Sequence, residues 1–424
     1  LGHSDLRTAV MGLHRATDRG VTPTSEEQRQ MEALLEEALQ EGFLGLSTMC
    51  LKWDKVDGDR EWSKSLPSTY ARWREVSRLN ALLRRYGRVH QGAPNAANPL
   101  QVTQYLKETL GWLRKPLKTT LIAMIDLKGN PTVKPMASLV GWLANSFGGN
   151  FRWQLLPTPF TVYADGIEEF GAGEMALDIR DQLERNELLK DEQYRRKFRK
   201  FYKEKLSPRV WQRDFGDAVI LDCPDKSVVG RNFAELAADR GIHVVDFFLD
   251  MVVAHGRSLR WFTTVGNHRK DRLRKMVTNP GALITFSDAG AHIRNMAFYN
   301  LPLRFLKLVY ESHVESEPVM SLERAVHRLT GEQADWLGVD AGHIREGDRA
   351  DITVLDPRGL DQDLEQVEWA EMENFGLERM VNRVPGCIRE VLINGRPAVT
   401  DGEVEAALGR EPGYGHFLRA GASG

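Results

Sequence analysis

Residues 282–292 read Ala282-Leu283-Ile284-Thr285-Phe286-Ser287-Asp288-Ala289-Gly290-Ala291-His292. Six residues of strand character (ALITFS) run straight into a carboxylate, small residues and an imidazole. Asp288 thus stands just past the carboxyl end of an apolar strand. In α/β barrels that rim carries the catalytic groups. A carboxylate placed there can take a proton from an attacking water and pass it to a leaving amine. The structural alternative is that Asp288 only caps the following turn.

Working upstream from this strand, the chain alternates helix and strand. Thr24-Ser25-Glu26-Glu27-Gln28 offers an N-cap with Glu27 three residues on. Met31, Leu34, Leu35, Ala38 and Leu39 follow at helical spacing up to Gly42, and Phe43–Ser47 reads as a strand. The same pairing recurs in a helix from Tyr70 to Tyr86 with a strand at Arg88–Gln91, and a helix from Pro99 to Leu113 with a strand at Thr119–Asp126. It recurs again in Pro135–Phe147 with Phe151–Leu156. Such alternation predicts a parallel sheet covered by helices. Arg260–Thr264 and Ala282–Ser287 are taken as further strands of that sheet, with one apolar helix over Phe233–Val253 before them. That gives six barrel strands where a closed (β/α)8 barrel needs eight, as if the first two were missing. Between them, residues 186–214 form a charged helical insertion, best read as an amphipathic surface helix with a solvated face.

Downstream the pattern turns to β. Ile352–Asp356 alternates and stops at Pro357, and Ile388–Ile393 meets the hairpin dipeptide Asn394-Gly395 before Arg396–Thr400. Across all 424 residues, 42% are apolar, which excludes global disorder. Lys and Arg number 57 against 59 Asp and Glu, a balance that argues against a nucleic-acid or anionic-membrane binder. No run approaches the length of a membrane span. Three dispersed cysteines, Cys50, Cys223 and Cys387, fit reduced thiols and a cytoplasmic setting better than a disulfide framework.

Other residues share the rim address. Asp126 ends the strand TTLIAMID, where a turn or N-cap role competes with a functional one. His90 lies within RVHQ and is most simply a hydrogen-bonded core histidine; Gln154 and His3 are weaker candidates. His292 and Arg294 follow Asp288 and could hold a substrate carboxylate, Arg294 by its bidentate geometry, although a structural ion pair competes for it. Among the motifs, His-x-His, His-Glu-x-x-His, Gly-x-Ser-x-Gly, P-loop and Gly-x-Gly-x-x-Gly are all absent from the sequence.

Gly2-His3-Ser4-Asp5-Leu6-Arg7, Gly42–Thr48 (GFLGLST), Ser287-Asp288-Ala289, Gly347–Asp356 (GDRADITVLD) and Val391–Gly395 (VLING) together resemble the D-aminoacylase (N-acyl-D-amino-acid deacylase) branch of the amidohydrolase superfamily. The resemblance implies an α/β fold, a metal-dependent hydrolase (β/α)8 TIM-type barrel lacking its first strands in this chain, with part of a small β-sandwich domain. The expected division is 1–341 for the barrel and 342–424 for the sandwich and tail. It further implies a divalent metal, Zn2+ in the first instance, and a small-molecule N-acylated substrate cleaved at its C–N amide bond. Asp288 is then general base and acid and a metal ligand. Asp126 stands where the branch carries a histidine, in Ile125-Asp126-Leu127-Lys128, and is the second metal candidate. The family's His-x-His and cysteine ligands would lie upstream of residue 2, so the chain reads as the C-terminal part of a longer enzyme. Two alternatives stay open: a catalytically degenerate binding or assembly subunit, and a hydrolase of cyclic amides. Association into a homo-oligomer is compatible with either.

Overall fold

A computed structural model of the chain describes all residues except 53, 57–58, 96–98, 112–113, 168–175, 177–178, 204–213, 288–291, 293, 297, 373–375 and 422–424. The first layer forms as its caps dictate. Helices α1 (His3–Met11) and α2 (Leu13–Ala16) precede α3 (Ser25–Gln40), which opens with a complete capping box. The Glu27 amide donates to Thr24 Oγ1 at 3.1 Å, and the Thr24 amide donates to Glu27 Oε2 at 2.8 Å. Met31, Leu35 and Leu39 of α3 are fully buried against Leu79 and Leu83 of α4 (Trp73–Tyr86).

Five parallel strands make the central sheet in the order β1-β2-β3-β4-β8. They are β1 (Gly45–Met49), β2 (Val89–Ala93), β3 (Lys118–Met124), β4 (Asn150–Leu155) and β8 (Ala282–Ile284). Helices α4, α5 (Pro99–Thr109) and α6 (Val133–Ser146) make the crossovers between the first four. A parallel bridge from Gly2 to Ser47 adds the start of the chain beside β1. Among the described residues the strands form an open sheet. Gly45 shows why β1 and β2 come so close. Its φ is +154°, and a Cβ there would lie 1.8 Å from the carbonyl oxygen of Val89.

One expected barrel strand is not in this sheet. Strand β7 (Arg260–Gly266) runs antiparallel between β5 (Phe160–Asp165) and β6 (Val219–Asp222), in a separate three-stranded sheet. Every second side chain of β7 is buried up to Val265, the mark of a half-covered antiparallel strand, whereas β8 is buried at all three positions. The apolar segment 233–253 is likewise two helices, α9 (Phe233–Asp239) and α10 (Val244–His255), parted at Gly241 where φ is +65°. They pack with Phe215 and Trp261 in a cluster of edge-to-face rings.

The charged insertion contains α7 (Gln182–Lys190) and α8 (Glu192–Lys203). Tyr194 and Phe198 face the core, and Arg195 and Arg199 pair with Asp250 and Asp246 of α10. Helix α11 (Lys270–Val277) precedes β8, and α12 (Leu301–Val314), α13 (Leu322–Leu329) and α14 (Gly331–Leu337) follow it. A hairpin β10 (Glu368–Met372) with β11 (Leu377–Val381) and a four-stranded antiparallel sheet complete the molecule. In that sheet β9 (Ile352–Leu355), β12 (Ile388–Ile393), β13 (Arg396–Thr400) and β14 (Glu403–Val404) have the order β14-β13-β12-β9. Asn394 and Gly395 form the β12–β13 turn with φ of +52° and +76°, as the dipeptide predicts. All three cysteines are free and buried. Among the described residues no helix is long and apolar enough to cross a membrane.

Candidate functional site

The carboxyl ends of β1 to β4 and β8 define the rim. Asp126 follows β3 there and is wholly buried. Its amide donates to Asn267 Oδ1 at 2.9 Å, and Asn267 Nδ2 donates to the carbonyl of Leu156 at 2.9 Å, past the end of β4. Both carboxylate oxygens are engaged by guanidinium groups. Arg269 donates Nε to Oδ2 at 2.6 Å and Nη2 to Oδ1 at 2.7 Å, and Arg272 Nη1 reaches Oδ1 at 3.0 Å. Asp126, expected as a metal ligand, is here the anchor of an arginine fork, and a metal ion would compete with two guanidinium groups for its oxygens. Arg269 and Arg272 lie more than 140 positions away in sequence, with no local signal to announce them.

Arg294 carries an ion pair. Its Nε donates to Asp165 Oδ2 at 2.6 Å, while Arg260 Nε lies 3.0 Å from the other oxygen. The two guanidiniums bracket Trp369 of β10 at 4.8 and 3.5 Å from its ring centre. His292 is half-buried, and its carbonyl accepts the amides of Asn295 and Met296, opening the turn that presents Arg294. Asp288 lies outside the described residues. The structure does not bring Asp126 and Arg294 together. Leu127 bridges to Gly266 at one end of the β5–β7 pair, and Arg294 holds Asp165 at the other. Five strand residues separate the ends, roughly 17 Å.

A second buried polar group lies at the rim of β1 and β2, joining His3 and Arg7 of the opening motif, Thr48 of the Gly42–Thr48 stretch and His90 to Glu75, which carries no motif. Glu75, in the first turn of α4, accepts from His3 Nε2 at 2.8 Å and pairs with Arg7. Thr48 of β1 stands between two imidazoles, with its Oγ1 3.5 Å from His3 Nδ1 and 3.0 Å from His90 Nε2. With His3 neutral, one donor order satisfies this row: His90 Nε2 to Thr48, Thr48 to His3 Nδ1, His3 Nε2 to Glu75. That order leaves His90 Nδ1 as a buried acceptor with no partner. Tyr105 packs its ring 5.1 Å from His90, and its hydroxyl lies 3.6 Å from Cys50 Sγ. His3, Arg7, His90 and Tyr105 are fully buried and Thr48 nearly so.

Burial dominates the electrostatics. It lowers the His90 pKa to about 3, helped by the neighbouring His3 and Arg84, so the ring stays neutral. Burial raises the Cys50 thiol to about 11, which keeps it protonated and unreactive. At Glu75 burial alone would raise the pKa, but the hydrogen bond from His3 and the neighbouring His3 and Arg7 outweigh it and hold the carboxyl below its ordinary value.

The unpartnered Nδ1 of His90 is the kind of atom a metal ion takes. Among the described residues, however, no three His, Cys, Asp or Glu side chains gather in a group able to hold one. The described residues of this chain therefore do not by themselves supply a metal site.

No protein-family model matches the chain. An uncharacterized protein of Mycobacterium tuberculosis, Rv2913c, is 45% identical over 439 residues, spanning 100% of this chain and 72% of that protein. An uncharacterized protein of Mycobacterium bovis matches equally. Among solved structures, a D-aminoacylase studied for its binuclear metal center superposes over 98% of this chain and 70% of its own, with a TM-score of 0.54 and 18% identity. N-acyl-D-glutamate deacylase from Bordetella bronchiseptica, complexed with zinc and a phosphonate inhibitor, gives a TM-score of 0.52 at 19% identity over 99% of this chain and 70% of that one. A D-aminoacylase variant in the same group was studied in complex with copper chloride. At 45% identity over its whole length the chain belongs to the family of the mycobacterial proteins, and its fold is that of the D-aminoacylase branch of the amidohydrolase superfamily.

Proposed function

We propose that the protein is an amidohydrolase that cleaves the C–N amide bond of a small N-acylated substrate, an N-acyl-D-amino acid being the first choice. The observation that carries this reading is the match of fold over nearly the whole chain to two deacylases, with Ser287 following β8 at the sheet's carboxyl rim and Asp288 next to it in the sequence. In this reading Asp288 takes the proton of the water that attacks the acyl carbon and returns it to the leaving nitrogen. Residues 1–341 form the hydrolytic body and 342–424 the smaller β part. The solved relatives bind metal, zinc in the glutamate deacylase and copper in the aminoacylase variant.

The test is a panel of N-acyl-D-amino acids, N-acyl-L-amino acids and cyclic amides, given to the natural protein with and without zinc. Turnover of N-acyl-D-amino acids that falls at least about 100-fold in Asp288→Asn is the expected result, the usual scale for a general acid–base group. Turnover of cyclic amides alone would replace the scissile bond in the proposal.

A second reading is favoured by one observation. Both oxygens of Asp126 hold arginines, as in a barrel that has given up catalysis for binding or assembly. Absence of turnover on every member of the panel is the outcome that reading requires.

A further inference from the structure

A cavity of about 240 Å3 opens where the chain leaves β5, between α7 and the end of α10. Its floor is apolar, with Ile167 and Val252 buried there. Among the described residues its walls carry three guanidiniums, Arg185, Arg257 and Arg294, against one carboxylate, Asp165. Asp165 is already engaged by Nε of Arg294 and Nε of Arg260. Arg185 is instead held by backbone. Its Nε donates to the carbonyls of Ala176 and Ile179 at 3.0 and 3.1 Å, and its Nη2 to that of Ile179 at 2.7 Å. Those bonds fix the fork and leave Nη1 unbonded. Arg257 comes from the short 3-10 turn Gly256–Ser258 that follows α10. Helix α7 is seated on this turn: a Cβ on Gly256 would lie 2.4 Å from Gln182 Nε2. Arg257 and Gln182 are exposed at the mouth, and Asn186 is half-buried. Among the described residues none of these three side chains has a hydrogen-bond or ion-pair partner. Burial, and after it the charge of Arg257, holds the Arg185 pKa below the usual arginine value.

We propose that this cavity binds a phosphate dianion, the head of a small phosphate monoester, between Arg185 and Arg257, with the ester carbons on Ile167 and Val252. This goes beyond the proposed function and is independent of it. The cavity lies at the Asp165 end of the β5–β7 pair, roughly 17 Å from the end beside Asp126. Arg294 stays with Asp165 and takes no part. Three observations select the ligand. First, two guanidiniums facing one cavity without a carboxylate of their own repel each other, and an anion between them turns that repulsion into two charge-assisted pairs. Second, the free groups are donors: Nη1 of Arg185, the Arg257 fork and the amides of Gln182 and Asn186. A phosphate monoester brings about two negative charges and three acceptor oxygens to them, where a carboxylate brings one charge and two oxygens. The fork of Arg185 is already fixed, so little rotamer freedom is lost on binding. Third, the volume equals that of roughly eight waters, which suits a small ester and is below the ~300 Å3 at which pockets for drug-sized ligands begin.

Isothermal titration calorimetry of the natural chain with glycerol phosphate, inorganic phosphate and succinate tests it. The expected result is saturable binding of one glycerol phosphate per chain, with a dissociation constant of about 1 mM or tighter. Succinate should bind at least about 10-fold more weakly, because each of its groups has fewer acceptors and less charge. Inorganic phosphate should also bind more weakly, since it leaves the apolar floor uncovered. Arg257→Gln should raise the glycerol phosphate dissociation constant at least about 10-fold, the scale of one lost charge-assisted contact. Its side chain is exposed and unpartnered, so the fold does not depend on it. Arg185→Gln should weaken binding as much, with circular dichroism to check that it is folded. Arg196→Gln, at an exposed arginine of α8 outside the cavity, should bind as the natural chain does. Absence of glycerol phosphate binding, undiminished binding by Arg257→Gln, or equal weakening in Arg196→Gln overturns the site. Succinate binding as tightly as glycerol phosphate overturns the choice of phosphate, and inorganic phosphate binding as tightly overturns the ester.

Discussion

Glu75 and Asp126 are both buried carboxylates that hold arginine, and their partners make them unequal. Arg7, the partner of Glu75, is itself fully buried, so removing the carboxylate strands a guanidinium in the core. Glu75→Gln should therefore cost about 3–5 kcal/mol of folding stability, the scale for breaking a buried pair by removing one partner. Arg269 and Arg272 keep 31% and 43% of their side chains in water and can turn outward when Asp126 is neutralised. Asp126→Asn should cost about 2 kcal/mol, the scale of hydrogen bonds to a charged group. Urea unfolding of the two variants side by side checks the order, and an equal loss would show that the exposure of the partner does not decide it. The same contrast explains what the sequence could and could not disclose of the site. Asp126 was visible because a carboxylate ended an apolar strand. Of the arginines that occupy it, Arg269 is the N-cap of α11 and Arg272 lies in its first turn, just after β7. Glu75 was invisible, since a single acid in the first turn of a helix is more often a dipole partner than the anchor of a buried network.

At the level of elements, Gly42–Thr48 shows why one stretch of sequence was so readable. Gly45 admits the Val89 carbonyl into the space a side chain would fill, and only glycine holds that φ beside a neighbouring strand. Gly45→Ala should separate β1 from β2 and cost more than about 3 kcal/mol, with loss of the row that joins Thr48 to His90. Thermal unfolding gives the loss of stability, and hydrogen exchange at the Val89 and Ser47 amides locates it. A well-protected Gly45→Ala protein would mean that the strands can shift to make room. The helix–strand rhythm of the first half was legible because each unit carries its own start and stop signals, such as the Thr24 capping box and the left-handed Gly87 after α4. Strand β7 was misassigned to the barrel because its length and apolar content suit either sheet. What separates the two is the partner strand: β7 pairs with β5, about 100 residues earlier, and no local pattern encodes that pairing.

For the molecule as a whole, the buried row of β1 and β2 links global stability to pH. The sign follows from proton counts in the two states. His90 in the unfolded chain takes a proton near its ordinary 6.5, while in the fold it stays neutral down to about 3. Between those values the unfolded state binds more protons, so stability is fully present above pH 6.5 and is lost as the pH falls towards 3. Glu75 acts in the same direction over a lower range. Its carboxyl is held below its ordinary 4.5, so its contribution is present above that value and is lost as the pH falls through the depressed one. The combined expectation is a stability that declines on acidification well before ordinary carboxylates titrate, with a slope of up to about 1.4 kcal/mol per pH unit from His90 alone. Replacing the imidazole by an amide, as in His90→Gln, removes the titrating group while leaving a donor for Thr48. The variant should be less stable than the natural chain at pH 7.5, where it loses packing against Tyr105. Between pH 6.5 and 5 its stability should change less steeply than that of the natural chain, narrowing the gap between them. Urea midpoints measured every half pH unit for both proteins decide the matter. Parallel curves over that range would mean that His90 takes up its proton in the folded core as readily as in the unfolded chain.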